Sequence, residues 1–258
     1  MSTRKSVLTA PDWLISKPIA HRGLHDIRKG VIENSKTAFI RAVDHGFAME
    51  CDVQLTKDGE AVVFHDDTLD RLTGEQGLVI GRNADDLARI ALSGSKQGDT
   101  ITSLGTLLEQ TGGRVPLILE IKSRFDGDLR LTRRVVEVLH GRENPVAVKS
   151  FDPRIVAALR MMMPERPRGI VAMAQYEYPD YATLPSDEKR AMANLLHFSE
   201  TRPDFISWNV KDLPHAGPHL CRIALGLPVI AWTVRTPDDV TKAGMHADQI
   251  VFEGFLPH

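Results

Sequence analysis

A short stretch of the 258-residue chain concentrates side chains that could bind a metal ion or move protons, namely Glu50, Asp52 and His65. Asp58-Gly59 between them suits a two-residue hairpin turn with positive φ at both central positions. In that register Asp52 lies opposite His65, and Glu50 shares their face because side chains alternate along a strand. Burying these groups together is costly unless a cation joins them, and a divalent metal with oxygen ligands is the simplest one. A solvated strand face is the alternative interpretation.

The elements that must position these residues alternate between strands and helices. Strands that each begin a strand–helix unit are predicted near residues 18, 48, 116, 146, 169, 205, 228 and 249. Among the helices between them, one is predicted over 186–199, and Asp152-Pro153 and Thr236-Pro237 are typical helix starts. Eight units in one chain predict a closed TIM-type (β/α)8 barrel of the α/β class, with a doubly wound open sheet as the weaker alternative.

The whole chain, 1–258, is predicted to be a single barrel domain, since such barrels run to about 250 residues. Residues 66–102 interrupt the alternation, because they are rich in Gly and Asp and carry one modest helical stretch near 85–92. We expect them to form a small cap-like insertion after the His65 hairpin, on the substrate side of the fold.

The predicted barrel brings distant polar residues to one rim, because active sites of such barrels lie where strands end and helices begin. The residues at C-terminal strand ends, with His65 folded back among them, are His21, Arg22, Glu50, Asp52, Glu120 and Lys122. A solvated surface would scatter such residues. Their convergence therefore favours a metal-assisted hydrolytic site.

Composition excludes several other classes of protein. A net charge of −2 gives no electrostatic case for binding nucleic acid or an anionic membrane. The sequence has no run of 18 apolar residues, so no membrane-spanning helix is predicted. The stretch 1–17 lacks the apolar region of a signal peptide. Cys51 and Cys221 lie far apart, which suits a reducing compartment. We therefore expect a cytoplasmic protein without a membrane span or a nucleic-acid partner.

Eight segments, taken in chain order, carry a resemblance to a known family. They are His21-Arg-Gly23, Glu33-Asn34, Glu50-x-Asp52-Val-Gln-Leu-Thr-Lys-Asp-Gly59, Val63-Phe-His-Asp66, Leu69-Asp70-Arg71, Glu120-Ile-Lys122, Ser150-Phe-Asp152 and Trp232-Thr-Val234. This ordered set spans nearly the whole chain and resembles the glycerophosphodiester phosphodiesterase family. Two segments depart from the family pattern: Ile32-Glu33-Asn34-Ser35 stands for Pro-Glu-Asn-Thr, and Phe252-Glu253 stands for the closing Thr-Asp. The second departure leaves the role of Glu253 open.

The resemblance implies a TIM-type barrel that hydrolyses a small-molecule glycerophosphodiester to sn-glycerol 3-phosphate and an alcohol. It implies that Glu50, Asp52 and Glu120 bind one divalent cation, Ca²⁺ or Mg²⁺. It also implies that His21 and His65 are the general acid and base. Which histidine is the acid, and whether water or the substrate's own hydroxyl attacks phosphorus, stays open.

Other residues at the rim have roles that follow from phosphodiester chemistry. Arg22 and Lys122, together with the metal, would neutralise the phosphoryl oxygens and stabilise the charge that develops on them. Phe151 and Trp232 lie at strand ends, where an aromatic ring could form a wall of the substrate site or belong to the core. The remaining histidines, His25 among them, show no ligand spacing and are assigned to the surface or to loops.

Two other functions are compatible with the same residues. A phospholipase D-like or lysophospholipase D activity on lipid phosphodiesters would use the same histidines and carboxylates behind an apolar entrance. The apolar residues that could line that entrance are Leu69, Leu72, Leu78, Val79 and Ile80. A phosphate- or metal-binding module without turnover would require the loss of a catalytic position, yet all five positions are present.

Overall fold

The structure is a computed structural model and describes residues 10–257. Residues 1–9, on which part of the signal-peptide prediction depends, lie outside the described residues, as does His258. None of the helices within 10–257 combines the length and the apolar composition needed to cross a membrane.

Parallel strands form a closed barrel. The strands between residues 10 and 257 are β1 (Ile19–Ala20), β2 (Ala48–Leu55), β3 (Ala61–Val63), β4 (Thr102–Ser103), β5 (Leu117–Ile121), β6 (Val146–Ser150), β7 (Arg168–Ala172), β8 (Phe205–Asn209), β9 (Val229–Val234) and β10 (Gln249–Phe252). All except β3 and β4 are parallel, and β1 pairs with both β2 and β10. The eight predicted barrel strands are thus confirmed, and the open doubly wound sheet is ruled out.

Helices surround the barrel and connect its strands. Within the described chain they are α1 (Lys36–Asp44), α2 (Ala84–Leu87), α3 (Leu104–Thr111), α4 (Arg130–Leu139), α5 (Pro153–Met162), α6 (Ser186–Ala193), α7 (Phe198–Thr201), α8 (Ala216–Leu225) and α9 (Pro237–His246). The predicted starts of α5 and α9 are confirmed, because Asp152 and Thr236 accept hydrogen bonds from the first-turn backbone.

The helix predicted over 186–199 is wrong in extent. It is divided into α6 and α7, because the chain leaves the helical conformation at Asn194 and Leu195 has a φ of 54°. Leu195 is buried in the core between strands and helices. Burial of this apolar side chain offsets the cost of a left-handed backbone at a residue other than glycine.

The hairpin between β2 and β3 differs from the prediction by one residue. The backbone N–H of Thr56 donates to Glu60, so the loop has three residues, and only its last one, Gly59, has a positive φ (87°). The Thr56 hydroxyl, which accepts a hydrogen bond from the N–H of Glu60, stabilises this longer loop. The backbone carbonyl of Asp52 accepts a hydrogen bond from the N–H of Phe64 at 3.1 Å. Asp52 therefore lies opposite Phe64 and not opposite His65. His65 follows the end of β3 and reaches the rim from there.

The insertion at residues 66–102 has a small apolar core of its own. Its buried members, together with the neighbouring residues they pack on, are Ile32, Val62, Phe64, Leu69, Leu72, Val79, Leu87, Leu92 and Ile101. The helical stretch predicted near 85–92 is reduced to the single turn of α2. The position of the segment as a cap over the site stays a prediction.

The barrel interior has an apolar layer beneath a charged layer. The lower layer, here named the barrel floor, is buried and consists of Leu14, Ile19, Ala48, Ile118, Ala147, Phe205, Ile230 and Val251. Gly169 makes room for it, because a Cβ there would lie 2.3 Å from the Phe205 ring. Residues two positions further along a strand face the same way, so Glu50, Glu120 and Lys149 stand directly above the floor.

Candidate active site

Three buried carboxylates meet above the barrel floor. They are Glu50 and Asp52 on β2 and Glu120 on β5, here named the carboxylate cluster. The two strands pair in parallel with Asp52 beside Glu120. Each residue can offer one oxygen that lies within 4.8 Å of the others. Three hard oxygen donors at this spacing fit either Ca²⁺ or Mg²⁺, which agrees with the expected metal site.

Two lysines neutralise this cluster from inside the barrel. The Lys149 ammonium lies 3.1 Å from Glu50 and 3.2 Å from Glu120. The Lys122 ammonium lies 2.7 Å from Asp52 and 2.6 Å from Glu120. Burial opposes ionisation of Glu120, but the two lysines outweigh it and lower its pKa to about 2. Glu120 is therefore charged at neutral pH, the form in which a carboxylate binds a cation.

Arg22 and Asn34 hold the carboxylate cluster from the loop side. The Arg22 Nε lies 3.2 Å from Asp52, and the Arg22 backbone N–H donates to Glu50 at 3.1 Å. The Asn34 amide donates to Asp52 at 2.9 Å. Arg22 and Asn34 have φ of 51° and 54°, a left-handed conformation that non-glycine residues adopt at a cost. Backbone strain is thus concentrated beside the carboxylates.

His21 ends β1 and is held by a carboxylate from the other end of the chain. Its Nδ1 lies 2.8 Å from the Oε2 of Glu253, which directly follows β10. Arg235 donates to the same oxygen at 2.8 Å. Burial opposes ionisation of Glu253, but His21 and Arg235 reverse this effect and lower its pKa. Glu253, whose role the sequence leaves open, therefore holds the imidazole of His21.

His65 has a similar arrangement built from neighbouring residues. Its Nδ1 lies 2.6 Å from Asp66, which accepts a further hydrogen bond of 2.6 Å from the Nε of Arg71. Arg71 also binds both oxygens of Glu33, at 2.9 and 2.8 Å, and Glu33 accepts from Arg22. Burial opposes ionisation of Glu33, but the two arginines lower its pKa to about 2. Burial raises the pKa of Asp52, but the charges of Lys122 and then His65 lower it well below its usual value, which places His65 close to the cluster.

The two predicted wall residues belong to an aromatic group at the same rim. The Phe151 and Trp232 rings meet edge to face with centroids 5.4 Å apart, and Phe151 also packs on Tyr181. The Trp232 indole donates to the carbonyl of Ser207. Burial, with a smaller effect of the Glu120 charge, raises the pKa of Tyr181, so the group lies near the carboxylate cluster. The role of Phe151 and Trp232 as a substrate wall stays a prediction.

The structure brings the predicted rim residues together, but sequence reasoning missed three neighbours. Lys149 was not predicted and Glu253 had no assigned role, although each lies two positions beyond a barrel-floor residue in the sequence. That alternation is the signal that could have found them. His25 lies in a loop, as predicted, but it was not assigned to the site, and its ring is mostly buried next to His21 and Glu253.

Sequence comparison places the chain among known proteins. Residues 21–252 match the model of the Glycerophosphoryl diester phosphodiesterase family. A glycerophosphodiester phosphodiesterase from Caldanaerobacter subterraneus subsp. tengcongensis is 32% identical over 234 residues, which cover 87% of this chain and 88% of that protein. The chain is therefore a phosphoric diester hydrolase by class. It belongs to the glycerophosphoryl diester phosphodiesterase family.

Solved structures show the same fold. A phosphodiesterase from Oleispira antarctica, solved in complex with the product sn-glycerol-3-phosphate, superposes with a TM-score of 0.74 at 24% identity and covers 91% of each chain. The glycerophosphodiester phosphodiesterase of Thermotoga maritima superposes with a TM-score of 0.67 at 23% identity, over 91% of this chain and 92% of that one. The TIM-type barrel predicted from the sequence is confirmed.

Proposed function

We propose that the protein hydrolyses small-molecule glycerophosphodiesters to sn-glycerol 3-phosphate and an alcohol. Membership of the family supports this reaction, as does the glycerol phosphate product bound to the Oleispira antarctica phosphodiesterase. The single observation that carries the proposal is a pair of imidazoles, His21 and His65, each held through its Nδ1 by a carboxylate next to three buried carboxylates.

The two imidazoles are arranged for proton transfer. A carboxylate at Nδ1 favours the tautomer that carries its hydrogen there, so Nε2 is left as the acceptor. One histidine would take the proton from the attacking oxygen, and the other, protonated, would give a proton to the leaving alkoxide. Such transfers contribute ~10²–10⁴-fold each, provided that the ring is correctly placed.

The carboxylate cluster would hold one divalent cation, Ca²⁺ or Mg²⁺, through Glu50, Asp52 and Glu120. When bound, that ion would supply positive charge to the phosphoryl oxygens of the substrate. Arg22 and Lys122 would bind the same oxygens and orient the phosphodiester. Lys149, which is buried below them, would hold Glu50 and Glu120 in position.

The insertion at residues 66–102 is proposed to act as a cap on the substrate side of a single barrel domain in the cytoplasm. Asp66 and Arg71, at its beginning, bind His65 and Glu33, so the segment is anchored directly to the rim. Leu69, which lies in the same segment, is buried in its small core.

A lipid-directed activity has less support from the structure. It would need an apolar entrance, but Leu69, Leu72 and Val79 point into the core of the insertion and are buried. Of the apolar residues predicted for that role, Leu78 is exposed. A small polar substrate fits this arrangement better than a lysophospholipid.

A substrate-by-metal panel tests the proposal. Glycerophosphocholine, glycerophosphoethanolamine and lysophosphatidylcholine are each assayed with Ca²⁺, Mg²⁺ or EDTA, and Glu120→Gln is compared with His219→Ala, which alters an exposed histidine on α8. We expect EDTA-sensitive release of glycerol phosphate that Glu120→Gln abolishes and His219→Ala leaves unchanged. Turnover of the lysolipid alone would instead support the lipid-directed activity. Absence of turnover with every metal, in folded protein, would reduce the protein to a binding module.

A further inference from the structure

A second set of possible metal ligands lies beside the carboxylate cluster. One ligand atom from each of His21, His25 and Glu253 can be chosen so that all three lie within 4.8 Å of one another. These residues come from three places in the chain: the end of β1, the loop after it and the end of β10. Closure of the barrel between β1 and β10 is what brings them together.

His25 has an unsatisfied nitrogen at this place. Its backbone N–H donates to Gly23, but its ring Nε2 is inaccessible to solvent and has no hydrogen-bond partner within residues 10–257. A buried polar nitrogen without a partner costs free energy.

We propose that His21, His25 and Glu253 form a second metal site, which binds Zn²⁺ or a similar transition metal in preference to Ca²⁺ and Mg²⁺. Two imidazoles and one carboxylate are a common donor set for zinc, whereas Ca²⁺ and Mg²⁺ require mainly oxygen ligands. The carboxylate cluster, which offers oxygen donors alone, has the opposite preference. Arg235 also binds Glu253, but its side chain is about half exposed and is free to turn into solvent.

Occupation of this site would switch off the reaction proposed above, and this consequence depends on that function. A neutral imidazole has one acceptor nitrogen. If a metal ion binds either nitrogen of His21, the other nitrogen carries the hydrogen, so the ring can neither take a proton nor be protonated in order to give one. Zn²⁺ would therefore inhibit turnover while the carboxylate cluster keeps its own cation.

Direct binding measurements test the site without reference to activity. Zn²⁺ is titrated against a chromogenic chelator in the presence of saturating Mg²⁺, using the unaltered protein, His25→Ala and the control His219→Ala. We expect one Zn²⁺ per chain and a loss of affinity of at least about tenfold in His25→Ala. Mutation of a residue that only hydrogen-bonds a metal ligand already lowers metal affinity by that factor. Glu253→Gln should weaken binding as well, whereas Glu120→Gln and His219→Ala should not.

Activity then separates the two proposals. Zn²⁺ should inhibit glycerophosphocholine hydrolysis in the Mg²⁺-saturated protein, and His25→Ala should lose this inhibition, measured for each protein as the ratio of its turnover with Zn²⁺ to its turnover without. Equal zinc affinity and equal inhibition in His25→Ala would overturn the second site. If no glycerophosphodiester is hydrolysed, the proposed function fails, but the chelator titration still decides whether the site exists.

Discussion

The two histidines use the same arrangement, but the fold builds it in different ways. His21 receives its carboxylate from Glu253, which is 232 residues away in sequence, and its side chain is 12% exposed. His65 receives its carboxylate from the adjacent Asp66, and its side chain is 28% exposed. One arrangement requires a closed barrel, whereas the other requires only the first residues of the insertion.

The arginines behind these carboxylates also differ. Arg235 contacts Glu253 from an exposed position. Arg71 binds Asp66 and also both oxygens of Glu33, so it connects His65 to the rest of the rim. The His21 side is therefore held by closure of the barrel, while the His65 side depends on a network of charged side chains.

The largest expected effect comes from removing either imidazole. His21→Ala and His65→Ala should each lower kcat by ~10²–10⁴-fold, because each removes one proton transfer. The measurement is steady-state hydrolysis of glycerophosphocholine, with circular dichroism to check folding and His219→Ala as the matched control. If either variant retained full turnover, that histidine would have no part in the chemistry.

Removal of the carboxylate partners should have a smaller effect. Glu253→Gln and Asp66→Asn should lower kcat by about 10- to 100-fold, because a misplaced imidazole transfers protons less well. KM should change little, because the imidazole does not contribute to substrate binding. We expect Glu253→Gln to be the more severe, since His21 is less exposed and has fewer waters to replace its partner. Equal effects on kcat and KM would show that these carboxylates contact the substrate.

Removal of the two arginines should have unequal effects on kcat. Arg71→Ala should lower kcat several-fold, because it releases Asp66 and Glu33 together. Arg235→Ala should change kcat by less than about twofold, as expected for an exposed ion pair worth 0–1 kcal/mol. Paired assays of both variants measure the difference. Similar losses in the two would contradict the view that only the His65 side depends on a network.

The last expected effect is on stability at low pH and not on activity. The pKa of Glu33 is lowered to about 2 in the folded protein, so its stabilisation is fully present above its unfolded pKa and is lost as the pH falls towards 2. Denaturant unfolding between pH 5 and pH 2 should therefore show a loss that Glu33→Gln reduces by about 2 kcal/mol, after allowance for the solvent that reaches Arg71. A parallel pH dependence in both proteins would exclude Glu33 as its source.

The comparison also explains which features the sequence predicts. The barrel follows from the order of strands and helices, and the convergence of the three carboxylates follows from their positions near strand ends. Glu253 could not be paired with His21 from local pattern, because only closure of the barrel makes the first and last strands neighbours. The predicted hairpin register is wrong by one residue, because the Thr56 hydroxyl stabilises a longer loop than the dipeptide Asp58-Gly59 indicates.

The barrel floor closes one end of the barrel, so the site opens only at the other end. Because the floor is packed with buried apolar side chains, nothing can pass through the barrel beneath the charged layer. In the proposed reaction the diester enters through this opening, and the alcohol and the glycerol phosphate leave through it. We therefore expect bound glycerol phosphate to block entry of the next diester and so to inhibit turnover.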